Sequence, residues 1–453
     1  MPLEPPPSFH RRLVNTVLFL LLFRLLANIP VANVDEEQLH ELLKNNPLLG
    51  AIDLFAGGEV LTNFSVVAVG LFPYLLAAGL VGLAARVVPA LRALEKESEA
   101  ERFKLYTRIV TIPLAFLFGW GITRYLSLQT GVFPDGLKWF NTSSFLSTLL
   151  IVSAVTFGSW LTEKIKEWIT DKGIAPGESV ILLVGSSLAF VNQVSDIRYS
   201  AADTASAFRE LAMHGAVGLF VILLAIPLTT AVRKIPLTIV KHPAPPPSWA
   251  SRQPAYSPHL PLLLNRGGIA PVSSAVGFLM LFQIVALFMG WVLPGKFPQL
   301  HSGLLSLADP ERDVYWTLLA ALIVMFTYFH NYMLLWKPHE DSDHSLAEYM
   351  RRQSSVFIAG FRPGNQTADY LSRVMALITL PGALLLVFLA AVLPYAILKF
   401  TGQNAAVPIL SAIVFVKTFL HVRRSFEAHR VTDQGYEGLL SSRKGRIRNR
   451  TDV

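Results

Sequence analysis

The side chains of this chain that could do chemistry are few, and none of them forms a recognisable reaction centre. The metalloprotease motif HExxH, the nucleophile motif GxSxG and a pair of carboxylates inside an apolar segment are all missing. The nearest motif is GWVLPGKF at 290–297, which imitates the phosphate loop GxxxxGK[ST]. Phe297 stands where the magnesium-binding hydroxyl would be, and the motif follows an apolar segment instead of a strand. The sequence therefore predicts a protein that is not an enzyme and needs no metal or cofactor.

Three ionisable side chains lie in or beside apolar segments. Arg24 interrupts the first such segment about one helical turn from its end, and a charge at membrane depth is a functional candidate by default. His214 and His330 have no partner that the sequence reveals. We expect both to be neutral histidines that hydrogen-bond and pack.

The elements that must position these side chains are membrane helices. The chain has 453 residues, of which 52% are hydrophobic and 15% charged, and its mean hydropathy is +0.46. These values are typical of an integral membrane protein. The chain contains no cysteine, which excludes a disulfide scaffold and thiolate metal sites.

About 20 apolar residues cross the hydrocarbon core of a bilayer. The first apolar segment is predicted to be a span and not a cleaved signal peptide, because no small-x-small site follows it before Pro30. The tenth is short, and Lys417 near its end can snorkel to the interface. Together the apolar segments predict ten spans, at 13–29, 66–85, 109–127, 145–161, 179–195, 211–232, 270–293, 314–336, 374–395 and 405–420.

Loop charges predict the orientation. With both termini on one side, most lysines and arginines fall on that side, which is therefore the cytoplasmic one. Ten spans divide into two halves of five that enter the membrane in opposite senses. The segment 1–232 holds spans 1–5 and span 6, at which the second half starts. The segment 233–453 holds spans 7–10, two long loops and a basic tail.

Residues 53–74 are a glycine-broken, half-polar stretch that runs directly into the second span. Non-helical backbone at membrane depth is tolerated only where protein buries it or where it lines a water-filled cavity. We therefore expect the chain to enclose a cavity with a small element in it.

Two loops on the predicted cytoplasmic side, 233–269 and 337–373, are long and basic. Positive-inside bias explains such charges one by one. Two basic loops on one face would also form a docking surface for an acidic or nucleic-acid-rich partner. The residues concerned are Lys241, Arg252 and Arg266 in the first loop and Arg351, Arg352 and Arg362 in the second.

Several blocks, in order along the chain, resemble the SecY family of pore subunits of the bacterial protein-conducting channel. FRLLANIP at 23–30 is similar to the end of that family's first span, and 53–74 is similar to its plug and the start of its second span. RKIP at 233–236 and NRGGIAP at 265–271 bracket the first long loop as in the family. The most specific block is GFRPGNQTADYL at 360–371 in the second loop.

The resemblance implies an all-α integral membrane protein with ten transmembrane helices in two inverted halves around a central pore. Unfolded secretory polypeptides would cross the bacterial plasma membrane through the pore, and transmembrane segments would leave sideways into the lipid bilayer. The implied partners are SecE-like and SecG-like membrane subunits, the SecA ATPase, the ribosome, and the secretory precursors and nascent membrane polypeptides. Arg362 falls on a family arginine important for coupling to the motor. Residues 50–64 take the place of a short re-entrant plug helix, with Asp53, Leu54, Phe55, Gly57, Gly58 and Asn63 as plug residues.

The family's hydrophobic pore ring maps onto Leu71, Leu75, Leu182, Ser186, Ser273 and Ser411. An apolar constriction excludes water and ions, whereas a hydroxyl keeps water in it. Because three of the six positions are serine instead of a bulky aliphatic residue, we expect a ring that leaks or depends strongly on its plug. The alternative is that the alignment slips by one residue and that neighbours such as Val272 and Leu410 line the pore.

A secondary transporter for a small solute is the alternative from another functional class, because inverted repeats with a broken helix also describe transporters. Transporters place ionisable or ion-binding groups near the midplane, and the predicted spans have almost none. Departures from the family pattern leave open an accessory paralogue with a restricted set of substrates. One departure is an addition of about one helical turn at 163–171.

Overall fold

The structure, a computed structural model, describes residues 9–88, 100–129, 132–133, 144–200, 203–239, 259–293, 296–335, 356–358, 360, 365–402 and 404–427. The helices before the first long loop are α1 (Phe9–Ala27), α2 (Glu36–Asn45), α3 (Pro47–Ala56), α4 (Phe72–Val87), α5 (Ala100–Leu128), α6 (Ser144–Lys172), α7 (Gly177–Ser200) and α8 (Thr204–Thr230). The helices after it are α9 (Ala270–Val292), α10 (Pro298–Leu307), α11 (Asp313–Leu335), α12 (Asn365–Val387), a π-helical turn (Phe388–Val392), α13 (Leu393–Thr401) and α14 (Ala406–Glu427). Three strands complete the described elements: β1 (Val232–Ile239), β2 (His259–Leu263) and β3 (Val356–Ile358).

The predicted fold class, a helical membrane protein, is confirmed. Eight helical spans in the described part are long and apolar enough to cross a membrane, namely α5, α6, α7, α8, α9, α11, the continuous run through α12 and α13, and α14. The two remaining predicted spans correspond to α1 and α4, which have 19 and 16 residues. The count of ten spans therefore stays a prediction.

The second span begins later than predicted. The sequence places it at 66–85, but the chain is helical only from Phe72, and residues 66–71 are turns. Gly70 has a φ of +42°, and Pro73 lies in the first turn of α4, where its missing N–H costs no helical hydrogen bond. The predicted start at 66 is wrong because the apolar residues there are buried in turns and not in a helix.

A break between α2 and α3 is produced by side-chain capping. The Asn46 Oδ1 atom accepts hydrogen bonds from the N–H groups of Leu48 and Leu49 at 3.1 and 3.3 Å, and Pro47 follows it in the first turn of α3. Every residue of α3 except Asp53 is buried. α3 is thus a short helix inside the protein, about half the length that a membrane crossing needs.

The two long loops build a three-stranded antiparallel sheet in the order β2-β1-β3, which the sequence analysis did not predict. Val232 of β1 pairs with Leu263 of β2, and Leu237 of β1 pairs with Ile358 of β3. The sheet packs on the start of α12 through Ile235, Leu262, Ile358, Leu371, Val374, Met375 and Ile378. Both loops are therefore attached to the helix of the ninth span.

The helix of the fourth span extends beyond its predicted end at 161, as the addition at 163–171 suggests. In this extension Glu167 pairs with Arg108 of α5, and the Lys166 Nζ atom lies 3.2 Å from the ring centroid of Tyr74 in α4. An ammonium over an aromatic face is attracted by the ring quadrupole. The extension therefore holds α4 and α5 against α6.

Candidate pore and plug

The stretch that follows α3 is a tight loop with left-handed backbone, and we call α3 together with residues 57–70 the plug segment. Backbone φ is +134° at Gly57, +73° at Gly58, +57° at Glu59 and +40° at Phe64. Glycine adopts such angles freely, whereas Glu59 and Phe64 adopt them only where surrounding contacts hold the chain. The shape of this loop therefore depends on its neighbours.

Asp53, at the end of α3, organises the loop from within. Its carboxyl oxygens accept hydrogen bonds from the backbone N–H groups of Glu59, Val60 and Leu61 at 2.8, 3.0 and 2.6 Å. Burial raises the pKa of the Asp53 carboxyl group, and the three N–H donors act in the opposite direction. These bonds fold the loop back onto the end of α3.

Two side chains from other helices hold the same loop. Arg24 of α1 donates from Nη1 to the Gly58 carbonyl oxygen at 2.8 Å and from Nη2 to the Gly57 carbonyl oxygen at 3.2 Å. Asn192 of α7 donates from Nδ2 to the carboxylate of Glu59. The charge that the sequence singled out in the first span thus binds the plug segment.

α7 also contacts the loop directly through its backbone. A Cβ atom on Gly58 would lie 2.7 Å from the Cα atom of Gly185, which is closer than real side chains approach. Only glycine allows two backbones to come this near. Gly185 immediately precedes Ser186 of the predicted ring, so the loop rests against a ring helix.

A cavity of about 680 Å³ lies beside the plug segment. Its other walls are the end of α2, the second half of α7, residues 210–222 of α8, the end of α13 and the start of α14. All of these parts lie on the predicted outer side. Asn63 does not line it and instead donates to the Ala27 carbonyl oxygen at 3.4 Å, while Phe55 is fully buried against Phe72. The sequence analysis expected a small element inside a cavity, whereas the structure places the plug segment in the wall of one, and its role as a plug stays a prediction. The residues of the plug segment that line the cavity are Gly50, Asp53, Leu54, Gly58, Glu59 and Thr62.

The predicted ring positions lie inside the protein. Leu71 and Leu182 are buried, and Leu75 is half-buried and packs against the same continuous apolar cluster. Val272 and Leu410, the alternatives to the serines of α9 and α14, belong to that cluster too. The structure brings both sets of candidates into the core and does not choose between them.

The three ring serines are buried, and their hydroxyl groups are bonded within their own helices. Ser186, Ser273 and Ser411 each donate to the carbonyl oxygen three residues earlier, at 3.0, 3.0 and 2.8 Å. A hydroxyl has one hydrogen to donate, so in this arrangement these donors are not free to bind water. The oxygen lone pairs remain as acceptors, so the predicted leak keeps its physical basis.

α4 and α5 meet α9 along a seam of small and apolar residues. A Cβ atom on Gly121 would lie 3.6 Å from the Cβ atom of Ile284, and Gly277 faces the Leu76 side chain. Ser274, whose Oγ atom is buried without a partner, faces Gly79. Within the described ranges, no hydrogen bond or ion pair joins α4 or α5 to α9. Packing alone therefore holds this seam together.

One predicted docking residue, Arg266, lies in the described part of the chain. Its backbone N–H donates to Asn331 Oδ1 at 3.1 Å, and burial lowers the pKa of its guanidinium group. Asn331 also donates from Nδ2 to Thr379 at 3.0 Å, which ties this loop to α11 and α12. The other five docking residues lie outside the described residues: Lys241, Arg252, Arg351, Arg352 and Arg362.

The two histidines make local contacts. The Nδ1 atom of His214 pairs with the Glu210 carbonyl oxygen at 2.9 Å, and that of His330 pairs with the Phe326 carbonyl oxygen at 2.8 Å. Both acceptors lie one helical turn earlier in the same helix. This geometry is that of histidines that pack in a helix bundle.

The sequence profile of the SecY family matches residues 65–422 of this chain. The chain belongs to the SecY family. Among curated relatives, the protein translocase subunit SecY of Streptomyces scabiei is 29% identical over 446 residues, which cover 96% of this chain and 97% of the relative. The subunit of Escherichia coli K12 is 29% identical over 400 residues, which cover 85% of this chain and 84% of the relative.

Solved SecY and Sec61 structures share the fold. A protein-conducting channel superposes with a TM-score of 0.63 at 14% identity, and Sec61 in the canine ribosome-channel complex from the endoplasmic reticulum superposes with 0.61 at 14%. A structure in which the SecY plug domain stabilises the closed state of the translocation channel and maintains a membrane seal gives 0.62 at 15%. Each superposition covers 95% of this chain and 94% of the other. At these identities the likeness concerns the fold.

Sequence reasoning about this SecY-family chain missed three residues that hold the plug segment. They are Gly185, Asn192 and Ser159, whose Oγ atom donates to the Gly70 carbonyl oxygen at 2.8 Å. The only available signal was a glycine or a polar residue inside an apolar span. Such residues are common in membrane helices, so the signal does not identify a partner.

Proposed function

We propose that this chain is the pore-forming subunit of a channel through which unfolded polypeptides cross the membrane. The observation that supports this most is the position of the plug segment. It is a buried, partly non-helical element of a SecY-family membrane protein, it rests on ring helices α4 and α7, and it forms one wall of a cavity. Irregular backbone at membrane depth belongs next to a cavity.

The competing classes have less support. A small-solute transporter would place ionisable or ion-binding groups at the constriction, whereas the candidate ring here consists of leucine and serine. SecY-family membership also points to a channel and not to an enzyme. An accessory paralogue with restricted substrates stays compatible with this function.

The seam between α4, α5 and α9 supports the proposal that transmembrane segments leave the channel sideways. A seam without hydrogen bonds separates at the cost of apolar packing alone, and lipid tails can replace that packing. The buried Ser274 hydroxyl has no partner in the closed seam, which lowers the stability of that state. These features support a lateral gate at this position.

The multi-pass protein is proposed to lie in the bacterial plasma membrane with both termini in the cytoplasm, as the loop charges predict. SecE-like and SecG-like subunits and the SecA ATPase are proposed as partners, together with the ribosome, precursor polypeptides and lipid. Sec61 and Ssh1 are the channels of ribosome complexes with the same fold. The sheet that joins the two basic loops gives these partners one coherent surface.

A crosslink from the ring tests the function. A photoreactive residue at Leu75 should capture a stalled secretory precursor, and the adduct should disappear when the signal sequence of the precursor is deleted. The same photoreactive residue at Phe157, which is exposed on α6, is the control and should capture lipid but no precursor. Equal precursor adducts at both positions, or none at Leu75 in a folded complex with its partner subunits, would exclude the channel.

Motor coupling is tested at Arg362. Arg362→Glu should reduce ATPase-driven export of a secreted reporter strongly and leave insertion of a membrane protein near its normal level, because the charge reversal repels an acidic docking partner. Arg198→Glu, which reverses an exposed arginine at the predicted outer end of α7, is the matched control and should leave both activities unchanged. Normal export from the Arg362 variant would remove the proposed role.

A further inference from the structure

The contacts of the plug segment with the two halves of the protein differ in kind. We define the N-terminal half as α1–α7 and the C-terminal half as α8–α14. With the N-terminal half, the loop 57–70 makes hydrogen bonds from Arg24, from Asn192, from the backbone N–H of Val31 to Phe64 at 3.0 Å, and from Ser159. Among the described residues, no hydrogen bond joins this loop to the C-terminal half.

Contacts with the C-terminal half come from α3 and are apolar, since α3 packs against α9 and α14. Gly50 of α3 packs against Val407 of α14, and a Cβ atom on Gly50 would lie 3.6 Å from the Val407 Cβ atom. Among the described residues, the only polar link between the C-terminal half and the chain next to α3 comes from Asn404. This exposed side chain donates to the carbonyl oxygens of Lys44 and Asn45, just before α3, at 3.2 and 3.4 Å. Apolar contact has no directional bond to break, and an exposed neutral hydrogen bond contributes little to the stability of the contact.

Arg24 makes the strongest of these contacts. Its two hydrogen bonds are charge-assisted and come from a planar, preorganised guanidinium group. The carboxylates of Glu59 and Asp53 attract it as well. The loop carbonyls that it binds belong to residues in left-handed backbone, a conformation that depends on external support.

We propose that Arg24 anchors the plug segment to the N-terminal half, so that the segment stays on that half and detaches from α9 and α14 when the two halves separate. This rests on the proposed function and specifies how the channel opens. Opening breaks the packing of α3 on α9 and of Gly50 on Val407, together with the bonds of Asn404, while the loop remains attached to α1, α6 and α7. α3 then pivots on its loop to clear the pore.

Two covalent links test to which half the plug segment stays attached when the channel opens. Because the chain has no native cysteine, only the introduced cysteines can react. Gly50→Cys with Val407→Cys has the Cβ separation of a disulfide and joins the plug segment to α14. Glu59→Cys with Asn192→Cys, bridged by a short bismaleimide, joins it to α7 at the site of an existing side-chain hydrogen bond. In vesicles with an imported precursor, we expect the first link to stop translocation and the second to leave most of it. A bismaleimide link that stops translocation as completely as the disulfide would overturn the proposal.

Variants of Arg24 test the anchor without any transport. Arg24→Gln should lower the bismaleimide yield between positions 59 and 192 and raise ion leak roughly ten- to hundredfold, the value of lost charge-assisted hydrogen bonds. Arg24→Lys keeps the charge but cannot bind both carbonyls in one plane. Its crosslink yield and ion leak should therefore lie between those of Arg24→Gln and those of the native protein. As a control for folding, Pro236→Cys and His259→Cys, opposite each other in β1 and β2, are added to each protein. Their disulfide should form equally in Arg24→Gln, Arg24→Lys and the protein with native Arg24.

The outcomes distinguish failure of the proposed channel function from failure of the Arg24 anchor. Cysteine variants that translocate no precursor even when reduced would refute the proposed function, and the crosslink yields and leak of the Arg24 variants would still decide the anchor. An unchanged yield and leak in Arg24→Gln, with the β1–β2 disulfide formed, would refute the anchor and leave the channel function intact.

Discussion

Oxidation of the double variant Gly121→Cys/Ile284→Cys should stop both membrane insertion and export, and reduction should restore them. The two Cβ positions lie 3.6 Å apart across the seam between α5 and α9, within the range of a disulfide. The Ile284 substitution also removes the side-chain atoms that would crowd a Cβ at position 121. A covalent bond across a seam that packing alone holds together prevents its separation, and we expect a loss of at least about tenfold.

The control is a disulfide that lies within one half. Pro236→Cys/His259→Cys joins opposite residues of adjacent antiparallel strands, where Cα atoms are about 4.5–5.5 Å apart, and its oxidation should reduce transport far less than oxidation of the seam pair. Each single cysteine variant should behave alike with and without oxidant. Insertion that continues at its normal rate through the oxidised Gly121–Ile284 pair would show that polypeptides do not leave by this seam.

Apolar periodicity and motif order in the sequence predicted the helices and the family, because both are local properties. The features that they could not predict arise from contacts between distant segments. β3 has only three residues, and β1 carries Arg233, Lys234 and Pro236, so neither shows a clear strand pattern of its own. The two strands pair across more than a hundred residues. The second span starts at Phe72 and not at 66 because the apolar residues before it are buried by the plug segment, and hydropathy cannot separate that burial from a span.

The candidate site was predictable to a similar degree. Asp53 and the glycine pair at 57 and 58 stand out in the sequence, and so does Arg24 as a charge in a span. The bond between Arg24 and the loop was not predictable, since its acceptors are backbone carbonyls that any residue provides. Gly185 shows the same limit, because a close approach of two backbones leaves only a glycine in an apolar helix as its signature.

The plug, the ring and the seam depend on one another through α7 and α4. α7 supplies Gly185 to the plug segment and Leu182 to the ring, while α4 supplies Leu75 to the ring and Leu76 to the seam. In the proposed mechanism, movement of α9 away from α4 would expose the predicted ring, and movement of α9 and α14 away from α3 would release the plug segment. A single separation of the halves can thus open the channel both across and sideways.

Displacement of the plug segment by a larger residue at position 185 is expected to open the pore to ions. In Gly185→Val, the new side chain would overlap the backbone of Gly57 and Gly58, which cannot yield as a flexible side chain can. Overpacking of this kind costs about 1–3 kcal/mol, which corresponds to roughly a five- to 150-fold loss of the closed state. Because three mapped ring positions are serine, the ring should compensate poorly for the lost plug. Single-channel recordings in planar bilayers measure the open fraction directly.

Gly218→Val is the matched control for this prediction. Gly218 lies on α8 at the same cavity, and a Cβ atom there would meet nothing within 4 Å. The same change of residue therefore adds the same volume to the cavity wall without touching the plug segment, and its open fraction should equal that of the native channel. The Gly185 variant should also admit precursors with defective signal sequences, since less of the signal's binding free energy is then needed to shift the plug. Equal conductance of the two variants would mean that the contact between Gly58 and Gly185 does not hold the pore closed, and that the ring, despite its serines, seals this channel by itself.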